Sequence, residues 1–314
     1  MDTQILLKVV IIFIIGMGIF FSLPSTSYFF MFLGIFHKHK SFRIERDNLK
    51  NSQYAPFADR LKSDILAARA IPCETVKLKA HDGVMLYGRY YNKDSDKTII
   101  FIHGYQSNSF NNFSTVMMDF LDKGYNVLLV DQRAHGNSGG KFTTLGCKEK
   151  QDLLLWIDHA AKNDAVNDII VYGISMGSAT VGHASSSIKT KKVKGLIMEA
   201  GFTCFYDEFQ YCTRNTPFRK QTLNCIYLMS KSLLKVDIKE STEDALKNNS
   251  IPVLFLHGDC DKEVQIEFTE RNFNACASAK EFITIEGAGH TLCYLVGGKP
   301  IHDKIDEFID NCIH

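Results

Sequence analysis

Two five-residue stretches of this chain match Gly-x-Ser-x-Gly: GISMG at 173–177, centred on Ser175, and GNSGG at 136–140, centred on Ser138. The pattern describes a sharp turn from strand into helix that holds a serine in a strained backbone conformation, with flanking glycines relieving the crowding. Context separates the two copies. Ser175 stands two residues past the apolar run DIIVYG and opens a small-residue helical stretch, SATVGHASS. Ser138 lies seven residues beyond NVLLVD, in a glycine-rich loop with no helix start. Ser175 is the candidate nucleophile, and Ser138 reads as a loop residue.

A serine hydroxyl attacks a carbonyl only when a base takes its proton. Of the eleven histidines, His290 follows the run KEFITIE within EGAGH, a loop whose two glycines let it carry an imidazole over a sheet. His103, ending TIIFIH, and His257, in PVLFLHG, read as structural residues beneath loops. The base needs a carboxylate to fix its tautomer and orientation. Asp259 and Asp261 both follow PVLFLHG, and Glu199, ending VKGLIME, is an outside alternative. Either aspartate gives the chain order Ser, Asp, His. An oxyanion formed at the carbonyl needs two aimed donors. The backbone amides of Tyr105, in HGYQ at 103–106, and of Met176 are the candidate pair.

The elements that must position these residues are short, β-branched, nearly continuous apolar runs. TIIFIH (98–103), NVLLVD (126–131), DIIVYG (168–173), VKGLIME (193–199), PVLFLHG (252–258) and KEFITIE (280–286) fit strands buried on both faces of a parallel sheet. VKLKA (76–80) and MLYGRYY (85–91) flank Asp82-Gly83, a hairpin signal. Helical patterns fall near 110–123, 146–162, 176–188, 262–277 and 300–312, and the gap at 200–250 is too long for one crossover.

Hydrophobic residues make up 45% and charged residues 23% of the 314, which excludes a disordered or collagen-like chain. The net charge of +1 argues against a nucleic-acid partner. Nine cysteines, an odd number without any CxxC pair, exclude a complete disulfide framework and fit a reducing compartment.

Residues 9–21 (VVIIFIIGMGIFF) contain no polar side chain; SLPSTS follows at 22–27, and YFFMFLGIF at 28–36 is apolar again. The 28 residues of 9–36 span about 42 Å as a helix, more than the roughly 30 Å hydrocarbon core. Cleavage as a signal peptide near Ser25 or Ser27 would leave a greasy mature N-terminus. Residues 1–40 are therefore expected to be an uncleaved, single-pass membrane anchor, with 41–72 a connecting helix and 73–314 the main domain. Lys38, Lys40, Arg43 and Arg46 follow the span, against Asp2 and Lys8 before it, which places that domain on the cytoplasmic side. Everything catalysis needs is expected after residue 75, so a chain starting near residue 45 is expected to stay active.

From about residue 75 to 312 the chain resembles the α/β-hydrolase superfamily, in particular its membrane-anchored, serine-esterase-like bacterial group with short caps. The resemblance rests on HDGVMLYGRYY, FIHGYQSN, VLLVDQRAHGNSGG, VYGISMGSAT, LFLHGDCDKEV and IEGAGH, in that order. It implies a mostly parallel eight-stranded sheet with helices on both faces, and a helical cap at about 200–250 between the sixth and seventh strands. It also implies that the acid is the last residue of the Gly-x-x-Asp segment, Asp261 rather than Asp259. Gln265 departs from the group's proline, a position that shapes the following helix and leaves the triad in place.

The activity so implied is hydrolysis of a small-molecule or lipid carboxylic ester through an acyl-enzyme. The same triad serves thioesters and peptide bonds. A noncatalytic binding protein on this fold is the alternative from another class, disfavoured by the intact Ser–Asp–His order. A serine at 175 disfavours the branches with an aspartate nucleophile, the epoxide hydrolases and haloalkane dehalogenases. With no metal cluster, P-loop or dinucleotide motif, no cofactor is expected. The aromatic, Leu and Met side chains of 200–250 either form an acyl pocket over the serine or only pack the cap onto the sheet.

Overall fold

The computed structural model describes residues 27–38 and 53–313. Eight strands form one sheet: β1 (Glu74–Lys79), β2 (Met85–Tyr91), β3 (Lys97–Ile102), β4 (Asn126–Asp131), β5 (Asp168–Ile174), β6 (Val193–Glu199), β7 (Val253–Gly258) and β8 (Lys280–Ile285). Their order is β1-β2-β4-β3-β5-β6-β7-β8. The sheet is mixed and mostly parallel, with five of its seven pairings parallel. β2 is antiparallel to both β1 and β4, while the pairings from β4 through β3 to β8 are all parallel. The cause is local. Asp82-Gly83 turns β1 straight back into β2, with Gly83 at φ +85°, where a side chain is strained.

Strands β4, β5 and β7 are almost wholly buried, which is why they read as unbroken apolar runs. One face is covered by α2 (Ala58–Ala70), α3 (Ser109–Asp122) and α10 (Cys293–Ile313), whose Ile65, Phe113, Phe120 and Ile305 meet Phe101 and Leu129 of the sheet. On the other lie α4 (Glu149–Ala161) and α5 (Met176–Ala184), with Trp156 and Val181 against Leu128 and Val171. Helix α9 (Ile266–Ala275) adds Phe273 to that side. Burial of a side chain such as Phe120 contributes roughly 1.5–3 kcal/mol.

The insertion between β6 and β7 holds α6 (Phe205–Cys212), α7 (Arg219–Met229), a π-helical turn at Ser230–Leu234 and the short α8 (Thr242–Leu246). It encloses a third apolar cluster above the strand ends, containing Ile226, Leu234, Phe202, Met176 and Val264.

That cluster also contains the second N-terminal apolar run. Residues 27–36 form a helix, here α1, which buries Phe32 and Phe36 on the domain. The Phe32 ring lies 6.2 Å from Phe142 and the Phe36 ring 5.7 Å from Phe205. Beyond it His37 bridges to Phe142, and the Lys38 amide donates to the Lys141 carbonyl at 2.7 Å. The expected span 9–36 is thus divided: 28–36 lies on protein, and 9–21 lies outside the described residues. Among the described residues, no helix is long and apolar enough to cross a membrane.

Candidate active site

Strand β5 ends at Ile174, and α5 begins at Met176. Ser175 between them adopts φ 56°, ψ −120°, a conformation that costs a non-glycine residue about 1–3 kcal/mol. Its surroundings impose it. A β-carbon on Gly177 would stand 1.9 Å from the Ile102 carbonyl oxygen, and one on Gly173 would stand 2.4 Å from that of Gly177. Only glycine at both positions lets strand and helix close around the serine. The Ser175 amide donates to the Glu199 carbonyl at 2.8 Å, tying the turn to β6.

His290 comes from the loop after β8. Its Nε2 lies 2.9 Å from Ser175 Oγ, and its Nδ1 lies 2.7 Å from Asp261 Oδ2. With the Nδ1 proton on the Asp261 side, the serine hydroxyl donates to Nε2. Asp261 is held by its other oxygen, which accepts from the amides of Glu263 at 2.8 Å and Val264 at 3.0 Å. Burial would raise its pKa, but the neighbouring His257 and His290 rings outweigh that and hold it well below the usual carboxylate range. Burial likewise opposes charge on His290, and Asp261 overcomes it, so the imidazole pKa lies above its ordinary 6.5.

The other candidates fall elsewhere. Asp259 accepts from the Gly287 amide at 2.7 Å and fixes the loop that carries His290. Glu199 is fully buried, accepting from the Tyr172 hydroxyl at 2.6 Å and the Cys293 amide at 3.1 Å. Ser138 donates to the Asp131 carbonyl and accepts from the Tyr87 amide, bracing the loop against β2. His103 Nε2 accepts from the Gln132 amide and its Nδ1 faces the Gly104 carbonyl, so both ring nitrogens are used structurally. His257 is held between Thr269 and Val264.

The loop after β3 passes directly over the serine: a β-carbon on Gly104 would lie 3.2 Å from Ser175 Cβ. The amides flanking Tyr105 are fixed, that of Gly104 by Asn112 Oδ1 at 2.9 Å and that of Gln106 by His135 Nε2 at 3.1 Å. The Tyr105 hydroxyl donates to the Ile35 carbonyl of α1 at 2.7 Å. Met176 is the first residue of α5, where helix amides have no intrahelical acceptor.

Ser175 and His290 open into a cavity of about 690 Å³, whose apolar wall includes Ile35, Phe202, Phe205 and Phe209. The cap therefore divides its work: these phenylalanines line the cavity, while Ile226 and Leu234 pack the cap down. Two lining residues were missed in the sequence. Ile35 lay in a segment assigned to the membrane. Glu208 is a buried acid of α6 whose Oε1 accepts from Cys212 Sγ at 3.2 Å and whose Oε2 is buried without a partner. Burial pushes its pKa up to about 7. The available signal was an acid three residues from Phe205 and one from Phe209, on a helix otherwise apolar toward the core.

The architecture and the strand-end position of Ser175 define the class as the α/β-hydrolase fold, and comparison with known proteins agrees. The family model described as serine aminopeptidase, S33, matches residues 93–223. The chain is 28% identical over 224 residues to the uncharacterized protein YqkD of Bacillus subtilis, covering 69% of this chain and 72% of that one. It is 24% identical over 193 residues to human protein ABHD12B, covering 60% and 52%. The Pyrococcus furiosus esterase Pf2001 superposes with a TM-score of 0.63 at 23% identity, over 80% of this chain and 95% of that one. Est1E from Butyrivibrio proteoclasticus, with ferulic acid bound, superposes with a TM-score of 0.59 at 22% identity, over 76% and 99%.

Proposed function

We propose that the protein is a serine hydrolase that cleaves carboxylic esters through an acyl-enzyme. The observation that carries the reading is the row Asp261–His290–Ser175, linked at 2.7 and 2.9 Å and facing a largely apolar cavity. In this reading Ser175 Oγ attacks the ester carbonyl while His290 Nε2 takes its proton, and Asp261 orients and stabilises the resulting imidazolium. The amides of Tyr105 and Met176 receive the oxyanion, each worth about two to three orders of magnitude in rate. His290 returns the proton to the leaving alcohol, and water, activated by the same imidazole, releases the acid. The phenylalanines of the cap hold the acyl group. The apolar run 9–21 holds the chain at a membrane.

A second reading rests on Glu208. An acid with an unpaired oxygen in the cavity wall suits a substrate amine, as a peptidase would present it. Fluorophosphonate labelling tests the shared chemistry. Wild type and Ser138→Ala should label, and Ser175→Ala should not; undiminished labelling of Ser175→Ala ends the proposal. A series of p-nitrophenyl esters set against aminoacyl p-nitroanilides then separates ester from peptide preference.

A further inference from the structure

We propose that the outward face of α7, together with that of α1, docks this domain on an anionic lipid bilayer. The docking is separate from any anchoring by residues 9–21 and independent of the hydrolase reading.

The first observation is where apolar surface remains exposed. Among the described residues, eight large hydrophobic side chains are exposed, and six of them, Phe29, Phe30, Met31, Phe218, Leu228 and Leu233, lie on α1 or on the cap segment around α7. Phe30 is 66% and Phe218 71% exposed. The two elements are neighbours, because Phe32 and Phe36 of α1 share one buried cluster with Ile226 and Leu234 of the cap. The outer side of α1 is thus apolar, while that of the α7 segment mixes Phe218, Leu228 and Leu233 with polar and cationic side chains. The inner side of each packs on the protein, and the outer side meets solvent. On α7, Thr222, Leu223 and Ile226 turn inward, while Lys220, Gln221, Asn224 and Leu228 remain outside, with the exposed Phe218 at the N-cap.

Charge decides what that outer side meets. From residue 209 to 236 the chain carries Arg214, Arg219, Lys220, Lys231 and Lys235 and no Asp or Glu. Lys231 pairs with Asp237 at 3.3 Å, outside that stretch. Exposed phenylalanine and leucine among cations match a bilayer interface, whose acyl boundary takes the apolar groups and whose anionic headgroups take the charges. At the start of α7 there is also room for a headgroup. A cavity of about 340 Å³ is lined by Arg214, Arg219 and Arg271, with Asp207 beside them. Arg271 is occupied by Asp207 and Glu243, whereas Arg219 Nε is buried without a partner. Phe218 gives α7 no side-chain cap, so the first amides of the helix favour an anion at the same place.

The test uses the full chain carrying Phe218→Trp, in phosphatidylcholine vesicles with and without phosphatidylglycerol. The native Trp156 is buried in the core, so the unsubstituted chain supplies the background. In phosphatidylglycerol vesicles the new emission should shift to the blue and be quenched by brominated phosphatidylcholine; in phosphatidylcholine alone both effects should be much weaker. Raised salt should reduce them, since exposed charges are screened. Lys220→Glu with Lys231→Glu should shift the docking equilibrium by at least about fivefold per charge. Leu228→Trp repeats the measurement from the other end of α7 and covers a folding failure at 218. Quenching that ignores headgroup charge overturns the proposal. So does emission unchanged by lipid for both substitutions, or a blue shift that depends on protein concentration without lipid, which would mark a second copy of the chain as the occupant.

Discussion

His290 Nδ1 lies 2.7 Å from Asp261 Oδ2, although Asp259 stands only two residues earlier on the same turn and bonds the Gly287 amide instead. The two aspartates differ in what they hold. One orients the imidazole, and the other orients the loop that carries it.

Asp261→Asn should lower kcat by about four orders of magnitude, because the imidazole then adopts the wrong tautomer. Asp259→Asn keeps an oxygen for the Gly287 amide and should remain within several-fold of wild type. Steady-state kinetics on one activated ester compares them, and the reverse ranking would make Asp259 the acid.

The pH profile should carry the mark of Asp261 and Glu208. His290 must be neutral to accept the serine proton, and its pKa lies above 6.5. The acidic limb of kcat/KM should therefore sit above 6.5, with activity falling about tenfold per pH unit below it. Glu208 is among the negative groups that favour the imidazolium. Glu208→Gln should move the limb to lower pH while leaving fluorophosphonate labelling intact. A limb that does not move separates Glu208 from the electrostatics of the site.

Gly177→Ala should lower stability by about 3 kcal/mol or more, since its β-carbon would overlap the Ile102 carbonyl at 1.9 Å. Gly83→Ala meets nothing within 4 Å and should cost only about 1–2 kcal/mol, the strain of its positive φ. Denaturant unfolding reads both; equal losses would show that crowding at the serine turn is not what requires glycine.

Removing α1 should damage the site. A chain beginning near residue 45 loses the burial of Phe32 and Phe36, the Ile35 wall and the acceptor of the Tyr105 hydroxyl. We expect a raised KM for long-chain esters and a lower melting temperature, against the reading from sequence that catalysis needs nothing before residue 75. Phe36→Ala in the full chain should lose about 3–5 kcal/mol by the same burial. Kinetics and melting indistinguishable from the full chain would show that α1 is dispensable.

The strands from β3 to β7 were legible because burial on both faces writes a continuous apolar run. The positions of Ser175 and His290 were legible because each follows such a run at a glycine-rich turn. Asp259 and Asp261 were not separable on that basis, having the same chemistry at the same strand end; only the resemblance chose between them. Residues 28–36 were read together with 9–21 for a physical reason. Their inner side is covered by Phe142 and Phe205, far along the chain, and their outer side keeps Phe29, Phe30 and Met31. An all-round apolar helix of this kind has the pattern that lipid also produces. Glu208 passed unnoticed because the adjacent acids Asp207 and Glu208 look like the solvent side of an aromatic helix until the cap is in place.

The hydrogen bond from Tyr105 to Ile35 joins residues 70 positions apart, one beside the serine and one in the leader of the domain. The leader is consequently no interchangeable handle. Grafting another protein's N-terminal segment onto this chain would replace a wall of the cavity and the brace of the loop above the serine. The shape of the cavity and the position of the loop above the serine would then change together.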